Sequence, residues 1–400
     1  MKLSLEVFAD SNATRLFLGQ LISQVCDKMM SVGLVWMFAE RYPASVVPWF
    51  LGFSALPHLL LAWHAGPWAA RWGQVRTLVG TDVFRGVVFG ALACVWGSLS
   101  ADAQLPALFA ASFVANMASA LFNPAIFSSP IILGDERLIQ QLTALINSCF
   151  SLGNVIGPLI AAVAYQTVGL TGLFGLNAVS YFVAAALEVG IVPKAPPAPP
   201  EGEAPAEPAT ARQVLARDRV VTVMLAGFLA SNLFLAPVMV IMPLFVRLSY
   251  HDSIGALATL ESCFGCGTIV GGLFLATVKL DSRLGVKIAT GMSAVALAYL
   301  GFTLSSAVWV GAACLAALGF CLEMTNVFSM TLFQTRLPPQ DVPTLMSLVN
   351  LISVASLPLS MAVIGVAVKG ADIRTIAACC GGGLMIATLG VIARREVREL

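Results

Sequence analysis

The chain has 400 residues, of which 58% are hydrophobic and only 11% charged; its mean hydropathy is +0.88 and its net charge +1. A soluble chain carries about 25% charged residues to coat its surface. This composition therefore excludes a water-soluble globular protein, and the near-zero charge leaves nucleic acid no electrostatic footprint.

A helix that crosses a bilayer needs about 20 mostly apolar residues. Twelve such runs are expected, at 14–38, 46–65, 77–98, 106–129, 139–165, 170–192, 219–245, 254–278, 286–305, 307–330, 342–368 and 372–393. They are continuous rather than alternating, which selects helices over barrel strands. The first run contains Asp27 and Lys28 and no small-residue cleavage site, so it is expected to be a retained helix rather than a leader. Very short turns between several runs make those helices antiparallel neighbours. Residues 194–212 read KAPPAPPEGEAPAEPATAR, the composition of an extended, disordered linker. The expected organisation is a six-helix bundle at 1–193, a cytoplasmic Pro/Ala/Glu-rich linker at 194–216 and a second six-helix bundle at 217–400.

Basic residues set the orientation. With the N-terminus inside, 16 of the 22 Lys and Arg fall on the cytoplasmic side, and only Arg41, Arg247, Lys369 and Arg374 fall outside. Both termini are therefore expected in the cytoplasm.

Ionisable and amide side chains inside spans are costly, so each marks a candidate site. Gln20, Gln24, Asp27 and Ser31 share one face of the first span, which should look into the protein interior or a watery cavity. Asp27 is the first candidate to hold a proton or ligand; the alternative is a structural Asp paired with a neighbouring helix. Lys28, about 100° further round, pairs with a carboxylate such as Glu261 or meets an anionic ligand. Asp82 and Arg85, one turn apart in span 3, read as a gating or packing pair. Asn116 in span 4, Asn147 and Asn154 in span 5 and Asn232 in span 7 are ligand contacts or interhelical hydrogen bonds. Glu188 is expected to snorkel to the inner interface. Glu261 in span 8 closes an outer gate or takes part in transport. Glu323 and Asn326 share a face of span 10, and Glu323 is the second candidate proton carrier.

The nine cysteines lie mostly in apolar runs and read as small core residues. The lone pair Cys263-Phe-Gly-Cys266 lacks the further ligands of a metal site. His58 and His64 point to different sides of their helix and His251 falls in a loop, so no metal or cofactor is expected. The tryptophans, among them Trp36, Trp49, Trp63, Trp68, Trp72, Trp96 and Trp309, are expected near span ends as an interfacial belt.

After span 2 the chain reads Gly66-Pro-Trp-Ala-Ala70-Arg71-Trp-Gly73-Gln-Val-Arg76. Its glycines suit a tight turn with close helix approach. Arg71-Trp-Gly73 has an echo in Arg283-Leu-Gly285 after span 8, and Pro158 has one in Pro358, each roughly 200 residues on. Span 5 carries Ser151-Leu-Gly153-Asn154-Val-Ile-Gly157-Pro158, small residues that allow close packing and a proline that releases a backbone carbonyl. The loop resembles the signature of the major facilitator superfamily, with Gly66, Arg71 and Gly73 matching and Ala70 standing at the pattern's Asp; Gly157-Pro158 resembles the family's antiporter motif. Asp82-Val-Phe-Arg85, Phe122-Asn123-Pro124-Ala125 and Phe333-Gln334-Thr335-Arg336-Leu-Pro338 look like the drug:proton antiporter branch.

The resemblance implies an all-α membrane protein with the major facilitator fold, twelve helices in two pseudo-symmetric bundles, with spans 1, 4, 7 and 10 lining a central cavity. It implies a monomer in a bacterial inner membrane whose partners are a small-molecule substrate, protons and lipid. The implied activity is proton-coupled export of an amphipathic compound such as a drug or siderophore by alternating access. Asp27, Glu323 and Glu261 would couple protons. Gln20, Gln24, Lys28, Asn116, Asn232 and Asn326 would contact substrate. Gly66, Arg71, Gly73, Arg76, Asp82, Arg85, Gly157 and Pro158 would gate or pack. A ferroportin-like exporter of divalent metal is the alternative within transport, and a membrane sensor or lipid-modifying enzyme the alternative outside it. No Gly-Lys-Ser/Thr phosphate loop and no clustered nucleophile is present, so neither ATP coupling nor enzyme activity is expected.

Overall fold

The structure, a computed structural model, describes residues 10–62, 64–133, 136–192, 211–277, 284–337 and 341–394. Fourteen α-helices follow in order among these residues. They are α1 Ser11–Arg41, α2 Val46–Leu61, α3 Ala65–Trp72, α4 Gln74–Val95, α5 Ala101–Leu133, α6 Glu136–Glu188, α7 Ala211–Arg217, α8 Arg219–Leu235, α9 Val238–Phe245, α10 Ile254–Thr277, α11 Leu284–Leu304, α12 Val308–Arg336, α13 Val342–Ala367 and α14 Ile373–Ile392.

Ten helical stretches are long and apolar enough to cross a membrane, or eleven when the bent pair α2–α3 counts as one span. One of them holds two crossings. α6 has 53 residues, and at 1.5 Å per residue it extends far beyond a bilayer core of about 30 Å. It turns at Gly169, whose φ of 65° and ψ of −170° fall where only glycine sits without strain. Spans 5 and 6 are thus joined by one glycine, and the count reaches twelve.

The chain divides into two compact units, residues 1–37 with 53–201 and residues 38–52 with 202–400. The first is built around the packing of α4 on α6 and α5, and a cluster of Leu16, Leu78, Phe122, Ile126 and Ile146 fills its core. The second is built around α12 against α10 and α11, with Val221, Ile288, Phe333 and Leu345 buried.

Several expectations are corrected. The stretch after span 2 is no open loop: Ala65, Ala69 and Ala70 favour helix and form α3. Gly66 lies within that helix, and a Cβ there would meet nothing within 4 Å. Gly73 alone needs its freedom, turning from α3 into α4 at φ 86°. Span 7 is broken into α8 and α9 at Ala236-Pro237, where proline lacks the N–H that would continue the ladder. Residues 211–216, placed in the linker, are helical in α7; residues 194–210 lie outside those described, as do Trp63 and Arg283. Trp36 and Trp96 lie near the ends of their helices but are buried, Trp96 standing edge-on to Phe174 at 5.2 Å, whereas Trp49, Trp68, Trp72 and Trp309 are exposed.

At the start of α8, Asp218 accepts from the N–H of Val220 and Val221 at 2.8 and 3.4 Å and from Arg336 Nε at 2.8 Å. Partial burial works against its charge, but Arg336 and the two backbone donors outweigh it and hold the carboxyl below the ordinary aspartate value. A lowered folded-state value adds stability above the ordinary range, lost as pH falls through that lowered value. Asp218→Ala is expected to cost about 1 kcal/mol and Asp218→Asn less, since Asn still caps. Thermal unfolding checks this, and the gap between wild type and Asp218→Ala should shrink below roughly pH 4.

Candidate functional site

The first unit gathers ionisable and amide side chains from three helices. α1 contributes Gln20 and Asp27, α4 Asp82 and Arg85, and α6 Tyr181 and Glu188. Arg85 is the hub. Its Nη2 donates to Asp82 Oδ1, and its Nη1 reaches Asp27 Oδ2 at 3.5 Å and Ser119 Oγ at 3.4 Å. The guanidinium lies over the rings of Tyr181 and Phe122, 4.3 and 4.5 Å from their centroids, two cation–π contacts that partly replace lost hydration. Tyr181 donates its hydroxyl hydrogen to Asp27 Oδ1, and the Asn177 amide also bonds that carboxyl.

Exposure separates the members. The side chains of Asp82 and Arg85 are 0% and 3% exposed, whereas Asp27 keeps 27%. Asp82 is therefore enclosed with Arg85, and Asp27 is the more exposed of the two carboxylates. Glu188, expected at the interface, is instead fully buried and accepts from Gln20 Nε2 at 2.6 Å. The Gln20 amide reaches it before it can extend to the headgroups. Gln24 Nε2 continues the chain to Gln20 Oε1 at 3.5 Å. Two carboxyls thus contact one guanidinium while Glu188 is held by Gln20, and Asp82 Oδ2 and Glu188 Oε2 have no hydrogen-bond partner. The cluster thus holds more acidic side chains than basic ones.

The motif glycines of α6 set the height of this site. A Cβ at Gly157 would lie 2.6 Å from Lys28 Cβ and 3.0 Å from Val25 O, and one at Gly153 would lie 3.1 Å from Gln24 O. Glycine at both places lets α6 lie against the polar stripe of α1. Pro158 is buried beside them.

The second unit holds a cavity of about 600 Å³. Glu323 is the one charged side chain among its lining residues, with Asn232 and Asn326 as amides and Met224, Phe228 and Met330 among its apolar walls. Asn232 Nδ2 donates to Phe228 O of its own helix at 2.9 Å, and in the first unit Asn116 Nδ2 does the same with Ser112 O at 2.8 Å. Glu261 is buried in α10 of the second unit, while Lys28 is half-buried in the first. Among the described residues no three His, Cys, Asp or Glu side chains converge as a metal would need.

Sequence reasoning passed over Asn177, Tyr181 and the true role of Glu188. Their spacing of four and seven is a helical stripe of the kind that singled out α1, and it was legible.

A family profile of the Major Facilitator Superfamily matches residues 16–361. Macrolide efflux protein A of Streptococcus pyogenes is 19% identical over 357 residues, 86% of this chain and 86% of that protein. The enterobactin exporter EntS of Salmonella typhimurium is 24% identical over 276 residues, 68% of this chain and 65% of the exporter. Among solved structures, a bacterial homologue of the iron transporter ferroportin in an inward-facing state superposes with a TM-score of 0.72 at 14% identity, covering 96% of this chain and 99% of that one. The POT family transporter PepTSo superposes with a TM-score of 0.70 at 13% identity, covering 94% and 97%; at such identities both speak for the fold alone. With the profile covering most of its length and its helices arranged as in these transporters, this chain belongs to the major facilitator superfamily.

Proposed function

We propose that this transporter exports an amphipathic organic compound in exchange for protons by alternating access, with Asp27 as the coupling carboxylate. The observation that carries the reading is that Asp27 stays reachable while touching Arg85, Tyr181 and Asn177. Protonation of Asp27 would leave Arg85 to Asp82 alone, so the proton changes the pairing within the cluster. The likeness to a macrolide efflux protein and an enterobactin exporter supports export.

The cavity around Glu323 favours a cargo with an apolar body and a cationic group, because its charge is negative and its walls are rich in Met and Phe. Arg85 is a poor partner for an anionic cargo, being already enclosed by Asp82, Asp27 and two rings. Metal export has no ligand cluster to rest on among the described residues.

The test is uptake into proteoliposomes under an imposed pH gradient, with drug-like cations and an anionic siderophore compared. Asp27→Asn is expected to lower gradient-driven uptake roughly tenfold or more, the loss of a hydrogen bond to a charged group. Glu323→Gln is expected to weaken transport of cations and spare neutral compounds. Full coupling in both variants sinks the assignment.

A further inference from the structure

The outer face of the first unit carries a second feature, separate from the transport cluster. A groove of about 480 Å³ runs between α3, α4 and α5. Leu61, Phe84, Val114, Met117 and Leu121 give it apolar walls. It follows α4 from Arg76 to Phe84, roughly 12 Å at 1.5 Å per residue. Its floor includes Gly80, where a Cβ would meet nothing within 4 Å. At its mouth Trp68 and Trp72 are exposed, with stacked rings 6.3 Å apart, the aromatic pairing expected at a headgroup boundary.

The charge at that mouth is unbalanced. Arg76 lines the groove and Arg71 is the chain neighbour of its lining residue Trp72; both arginines are exposed, and neither makes a hydrogen bond or ion pair among the described residues. No Asp or Glu occurs between Glu40 and Asp82, and Asp82 is buried against Arg85. α4 begins without a side-chain cap and without an acidic residue in its first turn. That end of a helix is already positive, and Arg76 adds charge where an anion is preferred. An apolar trough with two interfacial tryptophans and an uncompensated positive mouth matches one kind of molecule, in which a phosphate is joined to an acyl chain.

We propose that this groove is a binding site for one anionic glycerophospholipid, with its phosphate against Arg71, Arg76 and the open amides of α4 and an acyl chain along Gly80 and Phe84. The lipid supplies the negative charge that Ala70 and its neighbours do not. Its occupancy ties α3 to α4 and α5 across the hinge at Gly73. The proposal does not depend on the transport reading.

The experiment delipidates the purified protein and adds phosphatidylglycerol, or phosphatidylcholine with the same acyl chains, followed by native mass spectrometry and thermal unfolding. The expected result is one retained phosphatidylglycerol and a raised melting temperature, with phosphatidylcholine giving neither. The double variant Arg71→Gln, Arg76→Gln should weaken retention roughly thirtyfold, at about the attraction two arginines have for an anionic membrane. Gly80→Leu should fold, because the space is open, and should block the acyl chain. Arg247→Gln, an exposed basic residue of the second unit, should change nothing. Three results would each overturn the proposal: equal retention of phosphatidylcholine, unchanged retention in the double arginine variant, or equal stabilisation by inorganic phosphate, which has no chain to seat. The double variant keeps the test decisive if Gly80→Leu fails to fold.

Discussion

Arg85→Leu is expected to be the most damaging single replacement in the first unit. Asp82 has no exposed surface, and Arg85 is the cation it faces. Removing the guanidinium strands a buried carboxylate, a change that costs about 3–5 kcal/mol, against a total stability of about 5–15 kcal/mol for a folded domain. The variant should give a sharply lowered unfolding midpoint in detergent, and little monodisperse protein by size-exclusion chromatography. Adding Asp82→Asn should recover most of the midpoint, because two neutral groups replace the pair. It should not recover gradient-driven transport, because Asp27 still lacks its cation. An Arg85→Leu protein that melts with wild type would show that the pair contributes nothing to folding. Tyr181→Phe removes one donor to Asp27 and keeps the ring over Arg85, so its effect on stability should be far smaller.

The second large effect is expected at the crossing of α10 and α12. A Cβ at Gly267 would lie 2.1 Å from Ala316 O, and one at Gly319 would lie 2.3 Å from Phe264 O. Both obstacles are backbone oxygens, which cannot swing aside as a side chain can, so the helices themselves would have to separate. Gly267→Ala should therefore exceed the 1–3 kcal/mol or so of ordinary overpacking, and Gly267→Leu should leave no stable protein. Gly390→Ala is the control: a Cβ there meets nothing within 4 Å, and Ala is the better helix former by about 1 kcal/mol. Equal melting temperatures for Gly267→Ala and Gly390→Ala would refute the close contact. The crossing also bears on function, since a Cβ added at Gly271 would lie 3.3 Å from Glu323 Cβ. Forcing the helices apart would move Glu323 within its cavity.

Much of this was readable in advance, for a definite reason. In lipid each backbone polar group must be satisfied within its own segment, so a long apolar run has one outcome and the spans announce themselves. The face shared by Gln20, Gln24 and Asp27 follows from helical geometry, as does the Asp82–Arg85 pair one turn apart. Harder to read were features that depend on which helix lies beside which. Glu188 looked interfacial from its place at a span end, but the approach of α1 brings the Gln20 amide to it and buries both. Tyr181 and Asn177 gave a stripe signal, yet an amide and a phenol in a helix are ambiguous until a carboxylate is found opposite them.

Composition and period determined by themselves that this chain is a helical membrane protein, roughly where its long apolar runs lie and which polar residues share a face, because those properties are local and the bilayer enforces them. Only the tertiary structure decided that Arg85 joins Asp27 to Asp82, that Gly153 and Gly157 let α6 approach α1, and that Arg71 and Arg76 have no counter-charge among the described residues. Each is a distance between residues far apart in the chain, set by how small side chains let backbones approach.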